Sequence, residues 1–455
     1  MNSASISRRA TVIGAGMAGL FAARVLSDYF DEVVILDRDD LPASARPRSG
    51  VPQGRHLHTM LPGGLEIACS YFSGLAADLE GAGAIRSRFG QDVTIFRPDG
   101  RSFLAAAPRR EPLETGIVYY SMSRSLFEHL IRRRVSAIPN IVIRSRAAVL
   151  RPLLADGSVN GVVLDGGEEV SADLVIDASG RNARSINWLA DLGYEAPAES
   201  VVGCDFAYAS AVLRPVDPGA IQGSGVLVLP DPASDTPTRG GYLVRIEGDR
   251  WMAGLAGRFG DYPSADPDAW RAFGRSLNWP GWDDLVGSAE LEGALSTFRF
   301  PRSVRRHFEK LEDFPEGLIP LGDAICHFNP VYGQGMSAAA CEIRALDHVL
   351  ARRSRDCSGL HGIAKEFFPM ASEATRTPWA LAAGSDFIDP RTTGDFPSDE
   401  LDHLLRYVQL GALIDTDPEA ASLFVDIYNL RKPLSALEEP PWLERLSAEG
   451  RRISS

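Results

Sequence analysis

A glycine-rich turn near the N-terminus constrains the fold of this chain more than any other feature. The turn reads Gly14-Ala15-Gly16-Met17-Ala18-Gly19 and lies between a β-branched apolar run at 10–13 and a helical pattern at 20–30. A second apolar run at 33–36 ends at Asp37. In such a βαβ unit the first glycine permits the turn, the second lets the backbone approach a pyrophosphate, and the third lets helix and strand pack closely.

We therefore predict that the residues from Gly14 to Gly19 bind the pyrophosphate of a dinucleotide at the N-terminus of the first helix. Asp37 stands at a strand end, where a carboxylate accepts hydrogen bonds from a ribose, and its neighbour Arg38 is included in the predicted site. An acid at this position disfavours a 2′-phosphate on that ribose.

A second glycine-rich motif lies about 300 residues further along the chain. Gly322 and Asp323 follow an apolar run, and the sequence from Pro330 through Gly333, Gly335 and Met336 leads into a helical pattern at 337–351. An acid there can hold ribityl hydroxyls, and the first amides of the helix can face a ring that becomes anionic on reduction. Two separated contact motifs fit a long ligand such as FAD.

The order of these patterns predicts an α/β fold that is interrupted. We expect a Rossmann-like FAD-binding domain formed by residues 1–90, 115–195 and 310–355. An antiparallel β-sheet substrate domain (91–114 and 196–309) interrupts it, and a helical region (356–455) follows it. Within these units the patterns indicate one helical stretch at 65–85, a hairpin at 91–104, one strand at 142–154, and a Pro-rich polar tail after residue 430.

Composition and charge exclude several classes of function. The net charge of −13 disfavours nucleic acid and anionic membrane surfaces as partners. The chain has five cysteines, an odd number without a C-x-x-C pair, and nine residues precede the first apolar strand, which is short for a signal peptide. No run of 18 apolar residues is present. We expect a cytoplasmic protein without a metal site; the oligomeric state stays open.

At these motifs the chain resembles the FAD monooxygenases of the p-hydroxybenzoate hydroxylase fold. The glycine turn with Asp37, Arg124 in Ser123-Arg-Ser-Leu126, Asp177-Ala-Ser-Gly180, and Gly322-Asp323 before Pro330 occur in the order of that family, over roughly residues 8–350. Two segments, at 50–58 and 329–336, are most similar to bacterial polyketide-tailoring, epoxidase-like flavoproteins.

The resemblance implies FAD as cofactor and NAD(P)H as a transient reductant. It also implies further cofactor contacts. Arg55 would reach FAD from a loop and Arg124 from a helix, Val149 would offer a backbone contact on the adenine side, and Asp323 would face the pyrophosphate and ribityl region. Pro330 would lie against the flavin ring, and Gly335 and Met336 would offer amides to it. For His56 and His58, a flavin-facing or loop-structuring role is favoured over metal binding.

The implied activity is the transfer of one oxygen atom to an apolar polyketide- or terpenoid-like small molecule in secondary metabolism, by epoxidation or hydroxylation. We find no nucleophilic triad or carboxylate pair and assign no catalytic residue, which agrees with chemistry supplied by a cofactor.

Two other activities stay open: a redox-neutral cyclase that keeps FAD as a structural part, and a prenyl-type flavin reductase. The cyclase stays open because the family usually has Asp-Gly where this chain has Gly180-Arg181, a departure that questions the use of NAD(P)H. Halogenases of the tryptophan type rely on an early lysine, and the first 309 residues contain none.

Overall fold

The computed structural model describes residues 6–96 and 115–453, apart from 156, 218, 221, 222, 232, 278, 280 and 415. Within these ranges no helix combines the length and the apolar character needed to cross a membrane. The five cysteines are all free thiols.

Eleven α-helices are defined in the described part of the chain. In chain order they are α1 (Met17–Leu26), α2 (Pro62–Tyr71), α3 (Leu75–Gly81), α4 (Arg124–Ser136), α5 (Ser185–Asp191), α6 (Pro267–Arg275), α7 (Gly335–Asp356), α8 (Ile363–Asp386), α9 (Leu401–Leu413), α10 (Pro418–Tyr428) and α11 (Pro440–Ile453).

The described strands form five sheets. In chain order they are β1 (Ser7–Ile13), β2 (Phe30–Leu36), β3 (Ile85–Arg88), β4 (Val93–Phe96), β5 (Val118–Ser121), β6 (Ile141–Arg144), β7 (Val149–Ala155), β8 (Ser158–Leu164), β9 (Glu169–Ser171), β10 (Leu174–Asp177), β11 (Glu199–Gly203), β12 (Phe206–Arg214), β13 (Gly225–Val228), β14 (Gly240–Ile246), β15 (Arg250–Arg258), β16 (Glu290–Leu291), β17 (Ser296–Phe300), β18 (Ser303–Arg306), β19 (Leu318–Pro320), β20 (Cys326–His327) and β21 (Thr393–Gly394).

A five-stranded parallel sheet in the order β19-β10-β1-β2-β6 forms the centre of the nucleotide fold. Its strands are apolar on both faces, as expected for a buried parallel sheet. Val33 and Ile35 pack in the same core as residues of α1, α4 and α7, whereas Val34 and Leu36 pack against the small sheet β7-β8-β9. The carboxyl ends of β1, β2 and β10 therefore meet at one edge, where such folds bind ligands.

A second, mostly antiparallel sheet contains β16-β12-β15-β14-β13-β4. Strand β17 also pairs with β12, along residues 206–210, whereas β16 pairs with residues 213 and 214 at the end of β12. Alternation along β12 separates its two faces. Ala209, Ala211 and Leu213 share a buried core with Trp270 of α6. Phe206 and Tyr208 cluster with Phe300 on the opposite face. The predicted α/β fold with an antiparallel sheet and a helical C-terminal region is confirmed.

Local elements differ from the sequence patterns in four places. The single strand expected at 142–154 is two strands in different sheets, because Arg146 adopts a left-handed conformation (φ 54°) between β6 and β7. The stretch at 65–85 forms α2 and α3 with a break between them, and the expected polar tail contains α11. Of the expected hairpin, β4 pairs with β13 in parallel, and the remainder lies mostly outside the described residues.

Candidate functional site

One cavity of about 400 Å³ lies between the carboxyl edge of the parallel sheet and the inner face of the antiparallel sheet. Ile13, Leu36 and Ala178 line it from the ends of β1 and β2 and just after β10. Tyr208 and Phe298 line it from the antiparallel sheet. The cavity therefore joins a nucleotide-binding edge to an aromatic surface.

The three glycines of the first motif have three different structural roles. Gly14 has φ +99°, and a Cβ there would stand 2.7 Å from the carbonyl oxygen of Ala178. A Cβ at Gly19 would stand 1.9 Å from the carbonyl oxygen of Gly14, so this glycine permits the packing of α1 on the turn. A Cβ at Gly16 meets nothing within 4 Å, and Gly16 lines the cavity. Only the second glycine keeps space free for a ligand.

The first turn of α1 has no side-chain cap. The amides of its first residues therefore remain available to an anion, which the helix dipole also favours. Met17 and Ala18 line the cavity at this point. This arrangement fits a pyrophosphate.

Asp37 is buried at the end of β2 and is held in place by several donors. Its Oδ2 accepts a hydrogen bond from the amide of Ala15 (2.6 Å), and its Oδ1 accepts one from the amide of Asp39 (2.8 Å). The Nη1 of Arg48 lies 3.2 Å from Asp37 Oδ2 and 2.7 Å from Asp39 Oδ2. Arg48 Nη1 also lies 3.2 Å from Asp37 Oδ1. Asp37 lines the cavity, where a ribose hydroxyl would share the carboxylate with these donors.

Glu128 of α4 links this acidic pair to Arg124. Its Oε1 accepts from Arg48 Nε at 2.8 Å, and its Oε2 lies 2.9 Å from Arg124 Nη1. Burial alone would raise the pKa of Glu128, but Arg124, Arg48 and Arg132 lower it below its usual value. The network keeps Glu128 ionised and holds the Arg124 guanidinium in the wall of the cavity.

The second motif closes the opposite part of the cavity. Gly322 has φ +67°, and a Cβ there would lie 2.8 Å from the Cβ of Ala18, so the glycine permits the two motifs to approach. Its amide donates to Glu342 Oε2 at 2.8 Å. Asp323 lines the cavity, and burial raises its pKa. Two pieces of chain about 300 residues apart thus form one site.

Asp386 at the end of α8 fixes the loop that precedes α7. Its Oδ1 accepts hydrogen bonds from Asn329 Nδ2 and from the Tyr332 hydroxyl, both at 2.9 Å. Pro330 lies between these two residues and lines the cavity. The Oε1 of Gln334 is buried and has no hydrogen-bond partner within the described residues.

A bound group with an N–H donor would satisfy Gln334 Oε1, because buried polar atoms are normally paired. The flavin ring carries such a donor. The uncapped first turn of α1, the space beside Gly16 and the carboxylate of Asp37 fit the pyrophosphate and ribose of the same molecule. The residues present therefore fit FAD.

A buried hydrogen-bonded chain stands behind the aromatic surface. His56 Nδ1 lies 2.9 Å from Ser210 Oγ, which lies 2.8 Å from the Tyr242 hydroxyl. The ring of His56 packs edge-on against Tyr208, with ring centroids 4.4 Å apart. Among the described residues, no group of three or more His, Cys, Asp or Glu side chains could hold a metal ion. Through Ser210 and Tyr242, His56 attaches its loop to β12 and β14. This is the loop-structuring role, one of the two roles expected for this histidine.

We expect the histidines of the site to stay neutral at physiological pH. Burial lowers the pKa of His56 to about 3, and that of His58 and of His327 to about 4. Unfolded histidine titrates near 6.5, so the unfolded chain binds protons first and stability falls as the pH drops below about 6.5. Imidazole signals in NMR spectra should be unchanged between pH 8 and pH 6 for these three residues. A midpoint near pH 6 for His56 would contradict this assignment.

Most of the predicted cofactor residues meet at the cavity. Its lining includes Gly14, Gly16, Met17, Ala18, Asp37, Arg38, Arg124, Val149, Asp323, Pro330, Gly333, Gly335 and Met336. Ala15, Gly19 and Gly322 are packed behind this lining. Arg55 is exposed and is not part of the lining.

Arg48 and the hydrogen-bonded chain from His56 to Tyr242 were not predicted from the sequence. Arg48 belongs to a loop that contains several arginines, and no spacing rule selects one of them. Ser210 and Tyr242 lie in strands about 150 residues or more from His56, so only the folded sheet brings them together.

Sequence comparison identifies relatives over the whole chain. The family model described as tryptophan halogenase matches residues 99–219. Protein Rv3254 of Mycobacterium tuberculosis (strain ATCC 25618 / H37Rv) is 31% identical over 465 residues, covering 98% of this chain and 94% of that protein. The FAD-dependent monooxygenase ausM of Aspergillus calidoustus is 24% identical over 376 residues, covering 77% and 72%.

Comparison with solved structures supports the same fold. The flavin-dependent brominase Bmp2 matches with a TM-score of 0.69 and 16% identity, over 99% of this chain and 100% of that chain. At this identity the likeness concerns the fold. The match to Rv3254 over nearly its whole length shows that this chain belongs to the family of Rv3254, and its fold is that of the FAD-dependent monooxygenases and flavin-dependent halogenases.

Proposed function

We propose that this protein is an FAD-dependent monooxygenase that transfers one oxygen atom to an apolar polyketide- or terpenoid-like substrate in secondary metabolism, by epoxidation or hydroxylation. The observation that carries the proposal is one continuous cavity that runs from Asp37 and the start of α1 to the loop before α7 and to an aromatic surface. A dinucleotide site continuous with an apolar surface places a redox ring beside an apolar ligand.

The residues of this chain would bind and orient the cofactor. The first amides of α1 would hold the pyrophosphate, Asp37 a ribose, and the start of α7 the ring. When bound, FAD supplies the electron transfer and the activation of dioxygen. Asp386 holds the Asn329 to Tyr332 loop in position through two hydrogen bonds, so the wall beside the ring would be rigid.

The aromatic surface would bind the substrate and exclude water. Tyr208, Phe298 and Phe300 line the cavity, and the first two have ring centroids 5.6 Å apart. Burial raises the pKa of Tyr208 and keeps its hydroxyl protonated. These three aromatic side chains thus present neutral, mostly apolar groups, which suits the binding of an apolar substrate beside the cofactor.

Oxygen transfer is also favoured over halogenation of the tryptophan type. Among the described residues that line the cavity, none is a lysine. Lys310, which comes first among the three lysines of the chain, is exposed in a short 3-10 helix (Phe308–Lys310). The family match to a tryptophan halogenase makes a halide control necessary in the test below.

Anaerobic reduction followed by labelled dioxygen tests the proposal. We expect NADPH or NADH to bleach the flavin, and dioxygen enriched in the heavy isotope to place one heavy oxygen atom in squalene, a polyene fatty acid methyl ester or naphthol. Flavin that neither coenzyme reduces would favour the redox-neutral cyclase. Saturated product without oxygen would favour the reductase, and halogenated product in added bromide would favour halogenation.

A further inference from the structure

Arg181 places a positive charge between the cofactor part of the cavity and its aromatic surface. It follows Gly180 in the turn after β10, is half-buried and lines the cavity. Its Cζ stands 5.1 Å from the centroid of the Phe298 ring, a cation–π distance. The charge is therefore held at the aromatic surface.

The other arginines of the lining have partners or lie at the rim. Arg48 contacts three carboxylates and Arg124 contacts one. Arg184 donates to the carbonyl oxygen of Leu150, and Arg38 is exposed beside Asp37. Within the described part of the chain, Arg181 makes no hydrogen bond or ion pair. The N–H donors of this guanidinium are therefore available to a ligand that supplies an acceptor.

Arg181 shares the cavity lining with Asp323, Tyr208 and His327. No ion pair joins Asp323 and Arg181 within the described residues. Burial raises the pKa of Asp323, and the positive charge of Arg181 opposes this rise. Arg181 also acts electrostatically on Tyr208 and on His327, which is neutral. An anion at Arg181 would thus have Phe298 and Tyr208 on one side and the cofactor region on the other.

We propose that Arg181 recognises an oxyanion of the substrate, such as a carboxylate, whose apolar remainder lies along Tyr208, Phe298 and Phe300. The inference rests on the proposed function and narrows its substrate class from an apolar molecule to an apolar acid. A planar guanidinium binds a carboxylate through two parallel hydrogen bonds, which also fixes the orientation of the apolar part.

Equilibrium binding to the FAD-loaded, oxidised protein tests this without turnover. The probes are phenylpropanoate, naphthoate and retinoate, each paired with its primary amide, and the readout is the change in flavin absorbance. We expect at least one acid to bind about tenfold or more tightly than its amide. Arg181→Met should remove that preference to within about twofold, while Arg181→Lys should retain part of it because the charge remains. Arg133→Met, on the exposed side of α4, is the matched control.

Three results would overturn the inference. The first is a wild-type protein that binds none of the acids more tightly than the amides. The second is an Arg181→Met variant that keeps the preference. The third is a Kd for FAD raised about tenfold, or a selective loss of reduction by NADPH over NADH, in Arg181→Met, because the guanidinium would then serve a cofactor phosphate. Since no oxygen transfer is measured, acid recognition can hold even where monooxygenase activity fails.

Discussion

Replacing Gly16 by valine is expected to raise the Kd for FAD about 100-fold or more while leaving the apoprotein folded. Gly16 has φ −75° and ψ −177°, which valine adopts without strain, and a Cβ there meets nothing within 4 Å. The isopropyl group would instead occupy the space through which a pyrophosphate reaches the amides of α1. Losing two or more charge-assisted hydrogen bonds accounts for the expected factor.

Fluorescence titration of the apoprotein with FAD measures this effect, and thermal unfolding checks the fold. Gly81→Val is the matched control, because Gly81 also faces open space but lies outside the cavity. Gly19→Ala should behave differently and destabilise the apoprotein, since its Cβ would stand 1.9 Å from the Gly14 carbonyl oxygen. If Gly16→Val binds FAD within about threefold of the wild type, the pyrophosphate does not lie at this turn.

Replacing Glu128 by glutamine is expected to lower the free energy of unfolding by about 3–5 kcal/mol. The change removes the negative charge shared by Arg48, Arg124 and Arg132, and the Glu128 side chain is only 7% exposed. Uncompensated charge in a buried site is costly. Urea unfolding of the apoprotein measures the loss, and Glu168→Gln, which breaks an exposed pair with Arg144, should have little effect.

The pH dependence of the Glu128 contribution has a definite sign. Its folded pKa is lowered, so the unfolded chain takes up the proton first on acidification. The difference in stability between wild type and Glu128→Gln should be complete above the ordinary carboxyl value of 4.5 and should disappear as the pH falls through the lowered folded pKa. A difference that grows on acidification, or one below about 1 kcal/mol at neutral pH, would contradict the network.

The nucleotide half of the fold was predictable because its determinants are local. The glycine turn, the flanking strands and Asp37 lie within about 30 residues. The structure shows a steric requirement for glycine at Gly14 and Gly19, and open space beside Gly16. The acid and glycines of the second motif were recognisable for the same reason. The boundaries of the folding units stay predictions.

The remaining features depend on contacts between distant segments. The left-handed conformation of Arg146 divides the one expected strand into β6 and β7. The break is stabilised because the amide of Arg146 donates to the carbonyl oxygen of Asp39, and that of Ala147 to the carbonyl oxygen of Asp37. The sequence around residue 146 does not predict these hydrogen bonds to Asp39 and Asp37, which lie more than 100 residues earlier in the chain. The exposure of Arg55, and the choice of Arg48 for the acidic pair, likewise follow from how the long loop packs on α4.

The close approach of Gly322 to Ala18 has a consequence for biosynthesis. Because the segment after β19 and the start of α7 line the same cavity as the end of β1, the cavity is complete only after about residue 340 has been synthesised. At typical elongation rates that point comes on the order of 15–70 s after initiation. Until then the carboxyl edge of β1 faces an incomplete cavity, so a ligand that needs both segments can bind only after that point.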